Sequence, residues 1–559
     1  MTPNPALDKW LPASVLALRG YTKARFVADL IAGLTVGLVA LPLSMAFGIA
    51  SGVTPQAGIY TAVVAGFLIS ALGGSRTQIG GPTGAFVVII AGIIAKFGVS
   101  GLMMVTLMAG AMLVVMGLTG IGTAVKFIPR PVTIGFTNGI AVLIASTQIK
   151  DFLGLTFAGN PSAFIERLQA IGAHLATIHL PTLTLAAASL AVLLLVPRWT
   201  KRVPGAIVAL LGATLVSALL HLPVATIGSK FGGIPQGLPH FAFPAFRPEL
   251  IGVLLPSAVT VALLAAIESL LSAVVADSMS RDKHNSNVEL VAQGIANLAS
   301  PLFGGIPATG AIARTATNIR SGAQTPVAGM VHALVLLVIL LVAAPLARFI
   351  PLATLAAVLF VVAYNMGEWK EIGGILKLSR ADRSVWLATF ALTVFADLTV
   401  AVEVGMVLAA LLYIYRVSQT TTVTTVDDDY IEDGRPHILQ DKEIPEYVTI
   451  LRIHGPFLFG ASEKLAEATH DVSGYGDVVA LRLRNMTALD GTGLHALENL
   501  ADRLKVSGRT LVLCGAREQP AKLLHQAEFR HHIGEDNIVP HVDAALRRAA
   551  QIHLEKAQG

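Results

Sequence analysis

Glu268 sits near the middle of an apolar stretch, 252–277, and Arg314 sits just inside another, 310–321. An ionised side chain in a bilayer costs about 2.5 kcal/mol or more, so each is expected to face a cavity or a partner. Two short motifs carry the complementary chemistry. They are Gly81-Pro82-Thr83-Gly84-Ala85-Phe86 and Pro307-Ala308-Thr309-Gly310-Ala311-Ile312. Each opens a short apolar segment, 82–97 or 310–321, with Gly and Pro, which points to discontinuous helices. A helix N-terminus leaves backbone N–H groups unpaired and carries about half a positive charge. Two such ends facing each other near the bilayer midplane make an anion site without needing a charged side chain. The bare donors would lie at Thr83, Gly84, Ala85 and Phe86, and at Ala311, Ile312, Ala313 and Arg314. Small residues at 84, 85, 311 and 313 let an anion reach the backbone, and Thr83 adds a hydroxyl, as does Ser44. The same small residues would equally permit tight helix packing.

Glu268 has three uses open to it. Desolvation and a nearby Arg314 would act on its protonation in opposite senses, which suits a proton carrier for anion symport. With oxygens from Ser269 and Ser272 it would instead hold sodium as the coupling ion. As a neutral or salt-bridged acid it would only fasten its span to neighbours. Arg314 would add positive field for the anion, pair with Glu268, or snorkel to the membrane surface. Asp277 and Asp397, near span ends, read as solvated or capping. Other chemistries are unsupported. There is no G-x-x-x-x-G-K-[ST] loop for ATP, no HExxH pair and no cofactor motif. His531 and His532 read as surface residues. Cys514 is the sole cysteine, which excludes disulfides within the chain. The chain reads as a non-enzyme without cofactors.

The elements that must position these residues follow from hydropathy. Only 13% of the 559 residues are charged and 54% are hydrophobic; a soluble chain carries about a quarter charged residues. Apolar runs of the length that crosses about 30 Å of hydrocarbon recur. Fourteen are legible, near 28–49, 56–73, 82–97, 102–122, 131–148, 180–197, 204–221, 252–277, 287–304, 310–321, 326–346, 352–367, 384–398 and 400–416. Residues 1–27 form a polar N-terminal segment without a cleavable signal pattern. With that segment cytosolic, inner loops hold Arg76, Lys126, Arg130, Arg198, Lys201, Arg202, Arg281, Lys283, Lys370, Lys377, Arg380 and Arg383. Outer loops hold fewer bases: Lys96, Lys150, Arg167, Lys230, Arg247 and Arg348. That asymmetry obeys the positive-inside rule, and an even count returns the C-terminus to the cytosol. The net charge of +5 is spread over many loops, which argues against nucleic acid as a partner. The two Gly/Pro motifs, and Ile128-Pro129 beside Ile350-Pro351, repeat at similar offsets. Seven spans per half force the halves into opposite orientations, the inverted-repeat arrangement of secondary transporters.

Beyond residue 417 the texture changes. Residues 418–446 are Thr-rich and then acidic, a linker. Residues 447–555 alternate strand-like and helical runs: strands at 447–453, 478–483 and 510–514, helices at 462–470, 492–505, 520–527 and 542–551. Such alternation predicts a compact α/β domain.

These residues resemble a known family. Pro55-Gln56-Ala57-Gly58-Ile59-Tyr60-Thr61-Ala62 with Gly73-Gly74-Ser75-Arg76 is similar to the signature of SulP sulfate permeases, the solute carrier 26 type. Residues 29–37, Leu41-Pro42-Leu43-Ser44-Met45-Ala46-Phe47, Ala266-Ile267-Glu268-Ser269-Leu270 and 311–318 resemble its first, eighth and tenth spans. The C-terminal region looks like a STAS domain, with Asp490-Gly491-Thr492-Gly493 at the strand-to-helix loop. Within the family the chain resembles the DauA-type permeases of C4-dicarboxylates such as succinate and fumarate. The resemblance implies a UraA-like fold of fourteen transmembrane segments as a 7+7 inverted repeat, plus a cytosolic STAS domain. It divides the transport region, 28–417, into a core of spans 1–4 and 8–11 and a gate of spans 5–7 and 12–14. It also implies elevator-type alternating access, a homodimer in the cell inner membrane, and Phe47 on the cavity wall. Proton-coupled dicarboxylate uptake is the leading expectation. Sulfate or bicarbonate transport, with sodium coupling as one form, is the nearest alternative, followed by an anion channel or a regulatory protein whose STAS domain binds a cytosolic partner. A nucleobase permease shares the fold but not the motifs. Phosphorylatable STAS domains have Ser or Thr directly after the Asp; here Gly491 follows Asp490, which argues against a phospho-switch there.

Overall fold

The computed structural model describes residues 10–120, 129–157, 161, 163–199, 204–244, 247–396, 398–425 and 444–558. It forms two compact units that divide between Val407 and Leu408.

The first unit is helical. After a short helix α1 (Ala13–Leu18) come α2 (Lys23–Ala50), α3 (Pro55–Leu72), strand β1 (Gly80–Gly81), α4 (Gly84–Leu118), α5 (Arg130–Leu153), α6 (Phe164–Ala173), α7 (Leu180–Trp199), α8 (Gly205–Leu219) and α9 (Ile227–Phe231). Then follow α10 (Ile251–Ser280), α11 (Ser286–Leu302), β2 (Thr309–Gly310), α12 (Ile312–Arg320), α13 (Val327–Ala347), α14 (Leu352–Met366), α15 (Trp369–Ile375), α16 (Arg380–Phe395) and α17 (Leu398–Thr420). All fourteen predicted segments fall on helices. Eight of the described helices are long and apolar enough to cross a membrane. Two predicted segments, 82–97 and 102–122, are one helical run broken at Gly98, whose φ of 68° is left-handed. The tenth segment is a helix of only nine residues, α12. Helix boundaries follow local chemistry. Pro55 and Pro131 sit in the first turns of α3 and α5, where no N–H is required, and Gly154 ends α5 in a left-handed cap.

Packing sorts these helices into two groups. Helices α2, α3, α4, α10, α11, α12 and α13 pack mainly on one another, and α5, α7, α8, α14 and α16 do likewise. A continuous apolar core runs through both and includes Phe47, Phe86, Ile90, Ile140, Ile144 and Leu355. The first group is also laced by polar bonds. Buried Asp29 of α2 accepts from Gln324 N at 2.7 Å, Thr325 N at 3.1 Å and Thr325 Oγ1 at 2.5 Å. Buried Glu289 of α11 accepts from Gly74 N at 2.9 Å, Ser75 N at 3.2 Å and Gln293 Nε2 at 2.9 Å. Asp277 caps the loop after α10 by accepting from the His284 backbone N–H at 3.1 Å; Asp397 lies outside the described residues.

The second unit holds a five-stranded sheet: β3 (Thr422–Thr425), β4 (Val448–Phe457), β5 (Val478–Leu489), β6 (Thr510–Cys514) and β7 (Ile538–Val539), in that spatial order. β3 is antiparallel to β4 and the remaining pairs are parallel. Helices α18 (Ser462–Ala468), α19 (Gly491–Val506), α20 (Glu518–Gln526), α21 (Phe529–Ile533) and α22 (Val542–Gln558) accompany it. Strand alternation sends Leu451, Leu481 and Leu513 to one face against Leu497 and Leu500 of α19. It sends Ile450, Ala480, Val512 and Cys514 to the other, against Ala545 and Ala549 of α22. The expected linker, 418–446, is corrected at its start. Helix α17 runs through residue 420 and Thr422–Thr425 is a strand, because the Thr-rich run satisfies its backbone on β4. Residues 426–443 of that linker, with Asp427, Asp428 and Asp429, lie outside the described residues.

Candidate anion site

Two helix ends meet through a miniature sheet. β1 pairs antiparallel with β2, Gly80 opposite Gly310 and Gly81 opposite Thr309. Antiparallel strands leave a pair in opposite directions, so the helices that follow, α4 and α12, diverge from it with their N-termini back to the centre. The Ala311 N–H donates to the Ile79 carbonyl at 2.8 Å and Ile79 N to Thr315 Oγ1 at 3.0 Å, fixing the crossing. Gln78 Nε2 on the Ser269 carbonyl (3.2 Å), Thr309 Oγ1 on the Ala265 carbonyl (2.9 Å) and Asn318 Nδ2 on the Thr77 carbonyl (2.8 Å) anchor both strands to their helices.

Neither helix end carries a side-chain cap. Thr83 is the N-cap residue of α4, in extended conformation, yet its hydroxyl makes no capping bond. It donates instead to Glu268 Oε2 at 2.8 Å. Ala311, the N-cap residue of α12, has no side-chain oxygen to offer. Ser, Thr, Asp and Asn are the usual caps because their oxygens accept first-turn N–H groups. Here the first-turn donors of two opposed helix ends are left to another acceptor.

Arg314 is 2% exposed, in the first turn of α12, so it does not snorkel. Its Nη2 donates to the Pro82 carbonyl across the strand pair. Its Nη1 is buried with no hydrogen-bond partner. Gly81 makes room for it: a Cβ there would lie 2.7 Å from Nη1, on a backbone with φ of 144°. Glu268 and Arg314 influence one another electrostatically, but no contact ion pair joins them among the described residues.

The sequence-derived residues separate into those brought together and those not. Phe47, Thr83, Gly84, Glu268 and Arg314 share one locality. A Cβ on Gly84 would meet Phe47 Cε1 at 3.4 Å. Ala85, Phe86 and Ala311 are buried, and Phe86 is a core side chain that offers only its backbone. Ser44, one turn before Phe47, is fully buried with an unpartnered hydroxyl. Ile312 and Ala313 are exposed, Ile312 at 36%. Ser269 donates its hydroxyl to the Ala266 carbonyl of its own helix at 3.2 Å, and Ser272 shares a 3.0 Å bond with Thr315 of α12, so neither hydroxyl is bonded to Glu268. Sequence reasoning missed three neighbours. Ile144 of α5 and Met366 of α14 lie 3.2 and 3.3 Å from a Cβ built on Gly84. His332 of α13 is fully buried within the field of Arg314. Only His332, as an ionisable residue inside an apolar run, carried a signal.

The sequence matches the sulfate permease family over residues 26–389 and the STAS domain over residues 440–545. The chain belongs to the sulfate permease family. YvdB of Bacillus subtilis, provisionally named for sulfate, is 45% identical to it over 528 residues, 94% of this chain and 98% of that protein. The bicarbonate transporter BicA of Picosynechococcus is 31% identical over 545 residues, covering 93% and 94%. The fold matches murine solute carrier 26 member A9, an anion transporter solved in its inward-facing state, with a TM-score of 0.85 at 18% identity, covering 99% of this chain and 96% of that one. This permease is thus a multi-pass membrane transporter with a C-terminal STAS domain, and not an enzyme. In that domain Asp490 accepts from Gly493 N at 2.8 Å and Phe459 N at 2.9 Å, so the family's loop aspartate caps α19 and fastens a neighbouring turn.

Proposed function

We propose that this permease is a secondary active transporter whose substrate is a small oxyanion, bicarbonate or sulfate, held between the N-termini of α4 and α12. The observation that carries the reading is the opposed pair of uncapped helix ends, joined by β1 and β2, with Arg314 Nη1 buried and unpartnered beside them. Backbone N–H groups, two converging helix dipoles and a guanidinium donor together suit an oxyanion. The substrate-binding set is Phe47, Thr83, Gly84, Ala85 and Phe86 with Ala311, Ile312, Ala313 and Arg314; Ser44 supplies a hydroxyl from α2. The names of the relatives support an inorganic anion over the dicarboxylate suggested by likeness to DauA-type permeases.

Glu268 is the coupling residue. Its carboxylate accepts the Thr83 hydroxyl, so loading Glu268 with a proton changes a bond made by the residue that opens the anion helix. Sodium held by Glu268 is the competing mode, and the Thr83 oxygen beside that carboxylate is what favours it. Transport follows when the core group moves against the gate group, at contacts such as Gly84 with Ile144 and Met366. The working form is a homodimer in the cell inner membrane with both termini cytosolic.

The deciding experiment is uptake of radiolabelled sulfate and bicarbonate into proteoliposomes, under a proton gradient and separately a sodium gradient, with succinate and fumarate as competitors. Concentrative uptake of an inorganic anion driven by one gradient supports the proposal. Uptake of succinate alone restores the dicarboxylate reading, and current without accumulation indicates a channel.

A further inference from the structure

The chain between α9 and α10 is apolar where a loop is expected to be polar. From Phe231 to Pro244 there is no Asp, Glu, Lys or Arg, and His240 is the sole ionisable side chain. Leu238 is 58% exposed, Phe241 56% and Phe243 80%. Phe241 meets Phe243 edge-on with ring centres 5.1 Å apart, and meets Phe303 just past the end of α11 at 5.6 Å. Single exposed apolar side chains need no explanation, but a contiguous group marks a contact surface.

The segment is fixed to the helices at a definite depth. Ile234 is buried in the apolar core of the helical unit. Ala242 N donates to the Leu302 carbonyl of α11 at 2.8 Å, and Gln236 Nε2 to the Leu341 carbonyl of α13 at 2.5 Å. Helix α13 has 21 residues and a mean hydropathy of 2.8. At 1.5 Å per residue it is about 31 Å long, the thickness of a hydrocarbon core. Its last residue is Ala347, so the Leu341 carbonyl lies about 9 Å inside the helix end. Beside Leu341, Val338, Val342 and Leu346 are 57, 73 and 66% exposed, an i, i+4, i+8 stripe facing outward. A non-helical segment at this level must limit its bare N–H groups. Pro235, Pro239 and Pro244 have none, and Ala242 N is bonded.

We propose that Leu238, Phe241 and Phe243 are a lipid-binding surface, seated at the boundary of headgroups and acyl chains in the leaflet at the C-terminal ends of α11 and α13. Interfacial elements sink Phe and Leu about 5–10 Å into that boundary, the depth that the Leu341 bond sets. The patch continues the outward stripe of α13, whose cover in a bilayer is lipid. The same segment joins the two helix groups. Ile227 N donates to the Ile350 carbonyl at 3.0 Å and Leu352 N to the Ala225 carbonyl at 2.9 Å, so α9 is tied to the start of α14, whereas α10 belongs to the other group. Lipid therefore bears on the joint between the groups. This contact needs α13 to cross a bilayer and is independent of the anion site.

Nitroxide labels read the depth without using transport. Phe243→Cys is spin-labelled in the full chain in liposomes, and Leu238→Cys replaces it should that variant fail to fold. Val342→Cys is the lipid reference, and Val506→Cys, 90% exposed in the STAS domain, is the water reference. The native Cys514 is buried, and burial pushes its thiol up to about 11, so the parent chain serves as the unlabelled blank. Oxygen concentrates in hydrocarbon and a neutral nickel chelate in water. The logarithm of the oxygen-to-nickel accessibility ratio at the loop label should fall on the Val342 side of the midpoint between the two references. A value on the Val506 side overturns the proposal. Low access to both reagents overturns it as well, since that marks a protein cover such as a second copy of the chain.

Discussion

Two carboxylates on successive apolar helices, Glu289 fully buried and Glu268 half-buried, meet opposite fates. Glu289, in the first turn of α11, is fully buried and accepts from Gly74 N, Ser75 N and Gln293 Nε2. Glu268, midway along α10, accepts only from the Thr83 hydroxyl among the described residues. Three donors, two of them backbone groups of a turn that has no other use for them, make Glu289 a fastener of α3 to α11. One donor, on a residue that itself opens the anion helix, leaves Glu268 free to trade partners. The number of donors, together with exposure, separates a structural acid from a coupling acid.

The comparison is most exposed to failure at Glu289. Glu289→Ala strands two backbone donors and a buried amide, and should cost about 3–5 kcal/mol, seen as a large drop in thermal stability of the detergent-purified chain. If Glu268→Ala costs as much, Glu268 is a fastener too. Glu268→Gln should keep stability within about 1 kcal/mol of the parent, since the amide oxygen still accepts from Thr83. Its ion-driven accumulation of substrate should fall about 10-fold or more, a loss of about 1.4 kcal/mol of coupling, while Glu289→Gln that still folds keeps its coupling. Unchanged accumulation in Glu268→Gln removes the coupling role. Thr83→Val takes away the single hydroxyl, and should shift the ion dependence of uptake by a few-fold, about 1 kcal/mol. Thr83→Ser, which keeps the donor, should track the parent; equal behaviour of the Val and Ser variants would show that the bond is incidental.

Much of this was legible before any coordinate. The fourteen segments follow from the length of hydrocarbon to be crossed, and the α/β domain from alternation of strand and helix periods. Glu268 and Arg314 stood out because charge in an apolar run is expensive. Gly81-Pro82 and Gly310-Ala311 marked broken helices because glycine and proline punctuate regular structure. Glu289 gave no such signal, since its place at a helix start looks like an ordinary first-turn acid. β3 was hidden because four Thr-rich residues become a strand only when β4, more than twenty residues later, is there to receive them.

Sequence by itself therefore determined the inventory: which stretches enter the membrane, where helices must break, and which charges need an explanation. Tertiary structure alone decided the partnerships. The β1–β2 register joins residues 80 and 310, the Thr83–Glu268 bond spans 185 positions, and the Gln236–Leu341 bond spans 105. Hydropathy and propensity are sums over neighbours along the chain, whereas a hydrogen bond or a shared field depends on distance through space, which only the packed helices set.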